Sequence, residues 1–109
     1  MESLFGKYIK ERNNKEIIEN EKGFMTYYFV DDACYIEDVY VLPEYRRSRL
    51  CVNFGEEVEK IAKEKGCKKL YGSVVPSAPY STINLMGLLN FGWKLDSSAI
   101  NFILVVKDL

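Results

Sequence analysis

Between Cys34 and Val75 the chain switches its apolar period twice, and this limits the architectures open to it more than any other feature. Residues 34–42 form a run rich in β-branched and aromatic side chains, and Pro43 closes it because proline cannot donate a ladder hydrogen bond. After a polar connection over 44–49, Cys51, Phe54, Val58, Ile61, Ala62 and Lys65 recur every three or four residues. That spacing sets them on one helix face, with Lys65 long enough to reach water and Ser48 placed as a cap. Gly66 is a natural helix stop, and 69–75 reads as the next strand. A helix with one apolar face between two strands needs a sheet to cover, which favours a layered α/β domain over a helical bundle.

The flanks extend this unit. Residues 24–30 read as a strand, and Asp31-Asp32 supplies a turn into 34–42, so the two strands are expected to be antiparallel neighbours. Upstream, Leu4, Phe5, Tyr8, Ile9, Ile17 and Ile18 lie among polar residues in a way that suggests one or two amphipathic helical turns, interrupted at Asn13-Asn14. Downstream, Pro76 and Pro79 bracket a turn, Ser81 or Thr82 caps a short helix through Leu89, and Asn90-Phe91-Gly92-Trp93 leads toward a last strand at 100–106. The expectation is one domain over 1–109, with 1–23 as a shortened N-terminal helical region. It is a small three-layer α/β fold with a twisted mixed, mostly antiparallel sheet containing one parallel pair. A chain of 109 residues folds to about 6,200 Å² of surface, enough for one core and not for two.

Fifteen basic and sixteen acidic residues leave a net charge of -1, so nothing global attracts a polyanion, and nucleic acid is not an expected partner. The aromatic run Phe24, Tyr27, Tyr28 and Phe29 lacks a basic stripe beside it and reads as a half-buried sheet. Cys34, Cys51 and Cys67 are odd in number without a CxxC pair, and histidine is absent, so neither a disulfide framework nor a common zinc site is expected. A reducing, cytoplasmic location fits, and no run approaches the roughly 20 apolar residues of a membrane helix. Without histidine, neither the cysteines nor Ser73, Ser77 and Ser81 have the base that nucleophilic catalysis needs.

Two local features carry chemistry. A strand-to-helix junction exposes free amides, and Arg46, Arg47, Ser48, Arg49 and Leu50 occupy such a junction. They read either as a phosphate cradle assisted by arginine or as a solvated basic turn paired with Glu44. Glu37 and Asp38 are unusual inside an apolar strand, where a carboxylate faces water, pairs with a cation or performs chemistry.

The segment from Ile36 through Glu37, Asp38, Pro43 and Arg46-Arg47-Ser48-Arg49 to Cys51 resembles the central motif of the GNAT N-acetyltransferase family, most closely its polyamine-type branch. That family joins strand to helix through an (Arg or Gln)-x-x-Gly-x-(Gly or Ala) loop that holds the pyrophosphate of acetyl-coenzyme A. Arg46 matches the first position, whereas Arg49 stands at the first glycine and Cys51 at the last small residue. Arg49 therefore either contacts phosphate or fills the groove. The resemblance spans roughly 24–109 and includes the Asn90-Phe91-Gly92-Trp93 turn.

What the resemblance implies is an acetyl-coenzyme A-dependent transferase acting on a small amine or a protein lysine. Val39, Tyr40, Val41 and Leu42 would align the pantetheine arm, while Arg46, Arg47, Ser48, Arg49, Leu50 and Cys51 would hold the phosphates. Glu37, ahead of Asp38, would be the direct or water-mediated base. Free carboxylates are weak bases near neutral pH, so that role asks for partial burial, a relaying water or favourable substrate charge. Leu88 stands where many members place a tyrosine acid and Ser81 where they place an asparagine. The thiolate would then be protonated by water or by a hydroxyl from Tyr35, Tyr40, Tyr45, Tyr71 or Tyr80. The short N-terminal region leaves an open site or one completed by a homodimer. The alternative is a non-catalytic interaction protein on a GNAT-like scaffold, docking through its N-terminal segment or Trp93.

Overall fold

A computed structural model of the chain describes residues 3–46, 48–77, 86 and 88–109. Along them run α1 (Leu4–Asn13), β1 (Glu16–Asn20), β2 (Gly23–Val30), β3 (Ala33–Val41), a 3₁₀ turn (Pro43–Tyr45), α2 (Leu50–Glu64), β4 (Lys69–Val74), β5 (Lys94–Ala99) and β6 (Phe102–Asp108). Residues 86 and 88–90 have helical backbone. The strands among the described residues form one six-stranded sheet in the order β1-β2-β3-β4-β6-β5. Every junction is antiparallel except β3–β4, which is parallel because α2 carries the chain back before β4 begins. The mixed, mostly antiparallel α/β architecture is the one expected from the sequence.

The core forms where α2 lies on the sheet. Phe54, Val58 and Ala62 recur every four residues on one face of α2 and are buried with Met25, Tyr27, Cys34, Leu70, Trp93 and Val105. Full burial of a side chain such as Phe54 or Val58 contributes about 1.5–3 kcal/mol, so this face holds the helix in place. One end of the same stripe differs from expectation, since Cys51 is exposed; Lys65 at the other end is exposed as expected, its ammonium 5.1 Å from the Phe29 ring centroid. Gly66, at φ 83°, ends the helix as its left-handed conformation allows. At the other end the helix starts at Leu50, with Arg49 in the cap position. Ser48 contributes from one residue further out, its Oγ accepting from the Leu50 N–H at 3.2 Å.

Two further expectations are corrected. The region 1–23 is not helical throughout: α1 stops where Asn14 turns left-handed at φ 55°, and Ile17 and Ile18 lie in β1, opposite Thr26 and Met25. Pairing along β2 outweighs the weak local helix pattern. The last strand is also not alone. Ile100 sits in a hairpin turn at 99% exposure, Asn101 supplies the positive φ, and β5 precedes them with every residue exposed. Its backbone ladder to β6, rather than an apolar face, defines it. Pro79, Ser81 and Thr82 fall outside the described residues. The surface of 7535 Å² exceeds the roughly 6,200 Å² expected for this size, consistent with so exposed an edge.

At the β2–β3 end, Gly23 faces Val41, and a Cβ at residue 23 would lie inside the contact radius of the Tyr40 carbonyl oxygen. Gly23→Ala is expected to destabilise the fold by about 1–3 kcal/mol, as overpacking does. Urea unfolding followed by circular dichroism checks this, and an unshifted midpoint would contradict so close an approach.

Candidate functional site

The parallel ladder between β3 and β4 is short. Ala33, Cys34 and Tyr35 pair with Lys69, Leu70 and Tyr71, and the register goes no further. Beyond it β3 stays with β2, where Asp38 faces Thr26 and Val41 faces Gly23. β4 instead stays with β6, where Gly72, Ser73 and Val74 face Val105, Leu104 and Ile103. The strands part, and among the described residues the backbone edge of β3 from Ile36 onward has no strand across from it. A cleft of about 500 Å³ fills the gap, walled by Ile36, Glu37, Asp38 and Val39 of β3 and by Gly72 to Val75 on the β4 side. Cys51, Val52, Gly55, Glu56 and Glu59 of α2 line it as well, as do Leu88, Phe91 and Trp93. Gly72 matters here because its missing side chain lets the Trp93 ring approach, 3.5 Å from where a Cβ would stand.

Glu37 owes its position to a β-bulge. Tyr27 faces Ile36 and Thr26 faces Asp38, which leaves Glu37 as the extra residue without a partner. The buried Thr26 hydroxyl accepts from the Asp38 N–H at 3.0 Å and so repairs the ladder at the point where the bulge interrupts it. Released from the pleat, Glu37 borders the cleft and forms an ion pair with Lys15 from the α1–β1 connection. The Glu37 hydrogen bond, opposed by desolvation and aided by nearby negative charge, raises the Lys15 ammonium above the ordinary lysine range. Two further lining carboxylates are also engaged. Glu59 bonds Lys107 at 3.2 Å and Glu56 meets Arg49 at 3.3 Å.

At the junction the sequence-derived residues separate into groups. Val39 and Cys51 line the cleft. Arg46 turns back, its Nε donating to the Val41 carbonyl at 2.9 Å and its guanidinium lying 5.6 Å from the Tyr40 ring centroid. The Leu42 N–H is engaged by the Lys22 carbonyl at 2.8 Å. Ser48 Oγ donates to the Tyr45 carbonyl at 2.6 Å while accepting from the Leu50 N–H. Arg49 is exposed, holds Glu56, and lies 6.0 Å from the Phe91 ring centroid. Arg47 is outside the described residues. The opening of α2 follows: no described residue accepts from the Cys51 or Val52 N–H, and the Asn53 N–H donates to the Arg49 carbonyl at 2.8 Å.

Sequence reasoning missed Gly55, Glu56, Glu59 and Lys107. Gly55 was detectable, one helical turn after Cys51 on the same face, with open space where a Cβ would be. Lys107 was not, because only the β4–β6 register brings it beside α2. Among the described residues no tyrosine lines the cleft, and Leu88 does, at the position where the resemblance would place the acid. Thiol chemistry finds no support: burial pushes Cys34 up to about 12, and the protein around Cys51 raises its thiol as well. Among the described residues no group of three or more metal-ligating side chains occurs, and no helix is long and apolar enough to cross a membrane.

Solved structures share this fold. PaiA N-acetyltransferase from Thermoplasma acidophilum, in complex with coenzyme A, superposes with a TM-score of 0.79 at 17% identity, over 97% of this chain and 69% of that one. A GNAT family acetyltransferase from Elizabethkingia anophelis with acetyl-CoA bound gives 0.73 at 19% identity, over 94% and 82%. An acetyltransferase from Bacillus cereus gives 0.69 at 20% identity, over 87% and 71%. At these identities the likeness speaks to the fold. A search of curated protein sequences finds no match. The sequence profile of the Acetyltransferase (GNAT) family matches residues 8–86, most of the chain, and the protein belongs to that family.

Proposed function

We propose that this protein transfers an acetyl group from acetyl-coenzyme A to the amine nitrogen of a small molecule or a protein lysine. The observation that carries the reading is the gap between β3 and β4, with α2 amides that no described residue accepts from at one part of its wall and a bulged carboxylate at another. The residues fit the ligand on two independent grounds. The Cys51 and Val52 amides at a helix N-terminus suit phosphate, and the bare β3 edge suits the amide-bearing pantetheine arm. When bound, acetyl-coenzyme A supplies an acyl group activated as a thioester. Glu37 then holds the incoming ammonium and takes its proton, directly or through water, so that a neutral nitrogen faces the cleft. Glu37 and Asp38 favour a cationic acceptor. With Leu88 in the acid position, water returns the proton to the thiolate.

A second reading, a non-catalytic scaffold, draws on Arg49, whose side chain spans Glu56 and Phe91 on the cleft wall. The magnitudes favour release. An exposed pair of this kind contributes about 0–1 kcal/mol, whereas hydrogen bonds to a charged phosphate contribute about 1.5–3. Arg49 therefore exchanges Glu56 for phosphate.

Calorimetry with acetyl-coenzyme A is expected to show saturable binding below roughly millimolar concentration; none at that level sinks the proposal. Arg49→Ala is expected to weaken binding roughly tenfold, and tighter binding would mean that the side chain obstructs the cleft. Glu37→Gln should lower kcat roughly a hundredfold with acetyl-coenzyme A affinity unchanged, measured with a confirmed amine acceptor across pH. Cys51, a protonated thiol exposed at the cleft wall, should alkylate slowly near neutral pH and more slowly still with acetyl-coenzyme A present. Mass spectrometry of the labelled peptide reads that protection, and unchanged labelling would move the ligand away from α2.

A further inference from the structure

The sheet face turned away from α2 holds a group that the proposed function leaves unused. Met25 and Tyr27 pack toward α2, so strand alternation sends Tyr28 to the opposite side. There the Tyr28 ring stacks on Tyr35 at 5.3 Å and Tyr35 stacks on Tyr71 at 4.8 Å. Tyr35 and Tyr71 are the last ladder pair before the strands part, so the stack ends at the opening. Lys15 lies over this stack with its Nζ 5.9 Å from the Tyr28 ring centroid, and it is this Nζ that pairs with Glu37. Glu37 thus borders the cleft while holding a primary ammonium supplied by the chain itself. Such a nitrogen, hydrogen-bonded to the carboxylate that accepts the proton, is what an amine acceptor presents.

We infer that Lys15 is a covalent modification site, its ε-nitrogen acetylated in cis by an acyl thioester bound in the β3–β4 cleft. The inference rests on the acetyl-transfer reading above. In the step, Glu37 takes one proton from the ammonium and the freed lone pair attacks the thioester carbonyl carbon. The N–C bond forms and the C–S bond breaks. A second nitrogen proton ends on the departing sulfur, and the proton on Glu37 passes to water. The products are N-acetyl-lysine, a free thiol and one released proton. Acetylation removes the positive charge, so the ion pair is lost and the Glu37 carboxylate becomes free for an outside amine.

Exposure separates this from solution chemistry. The Lys15 side chain is 26% exposed, against 57% for Lys10, which pairs with Glu16 at 3.7 Å, so uncatalysed acylation favours Lys10. The groups facing the Lys15 ammonium are Glu37 and Asp38 from β3 and Tyr28 from β2, and together they keep it protonated above the ordinary lysine range. Acetylation at Lys15 therefore speeds up as pH rises from about 7 to 10, because the neutral amine becomes more abundant.

The full chain, incubated with acetyl-coenzyme A and mapped by peptide mass spectrometry, is expected to gain one acetyl group at Lys15. The rate should be at least roughly tenfold that at Lys10, independent of protein concentration, and reduced roughly a hundredfold in Glu37→Gln. A readout without the thioester uses acetic anhydride on the free protein: Lys15 should react more slowly than Lys10, and faster once Glu37→Gln releases it. Lys15 labelling that Glu37→Gln leaves unchanged overturns the inference, as does acetylation no faster than at Lys10 or scaling with protein concentration. Acetylation of an added amine with Lys15 untouched also overturns it while leaving the proposed function standing. Absence of any acetyl-coenzyme A binding removes both.

Discussion

The brevity of the parallel ladder between β3 and β4 is the constraint on which the rest depends. Three residue pairs hold the strands together, after which each keeps a different antiparallel neighbour, and among the described residues no strand bridges the gap between them. An unpaired strand edge costs little while solvated and is a ready template for an amide-bearing ligand. The helix that connects the strands makes the gap durable, since Phe54, Val58 and Ala62 fix α2 against residues of both β2 and β4. With its apolar face so anchored, α2 cannot slide to fill the opening, and its first amides remain beside it.

The bulge follows the same logic at smaller scale. An extra residue in β3 would ordinarily leave an amide without a partner, and the Thr26 hydroxyl supplies one from a position that is 2% exposed. That repair lets Glu37 stand out of the pleat at the mouth of the gap. Ion pairs then distribute charge along the wall: Lys15 on Glu37, Arg49 on Glu56, Lys107 on Glu59. Of these, the exposed Arg49–Glu56 pair is weak and exchangeable, whereas the backbone gap is set by strand register. The scaffold is therefore rigid where it shapes the cleft and adjustable where it meets a charged ligand.

Much of this was legible in the sequence. The strand ended by Pro43, the helix stopped by Gly66 and the strand beginning at Lys69 are observed within a residue or two of where period and punctuation put them. These elements bury one consistent face, and burial imposes the period. β1 and β5 were not legible because edge strands are defined by ladder bonds to a neighbour, so Ile17 and Ile18 read as helix and Lys94 to Ala99 carried no pattern at all. The GNAT resemblance located the junction but could not tell where its side chains turn; Arg46 turns back onto Val41 and Arg49 runs along the cleft wall to Glu56.

By itself the sequence determined a layered α/β domain, the order strand, basic turn, helix and strand at its centre, and a pair of out-of-place carboxylates at Glu37 and Asp38, because these follow from period, proline and glycine chemistry within a few residues. Tertiary structure alone decided that the parallel strands part after Tyr35, that Glu37 is the bulged residue and that Lys15 rests against it. Those outcomes depend on register between segments far apart in the chain, and an alternating pattern fixes which face a residue takes without naming the residue it will meet.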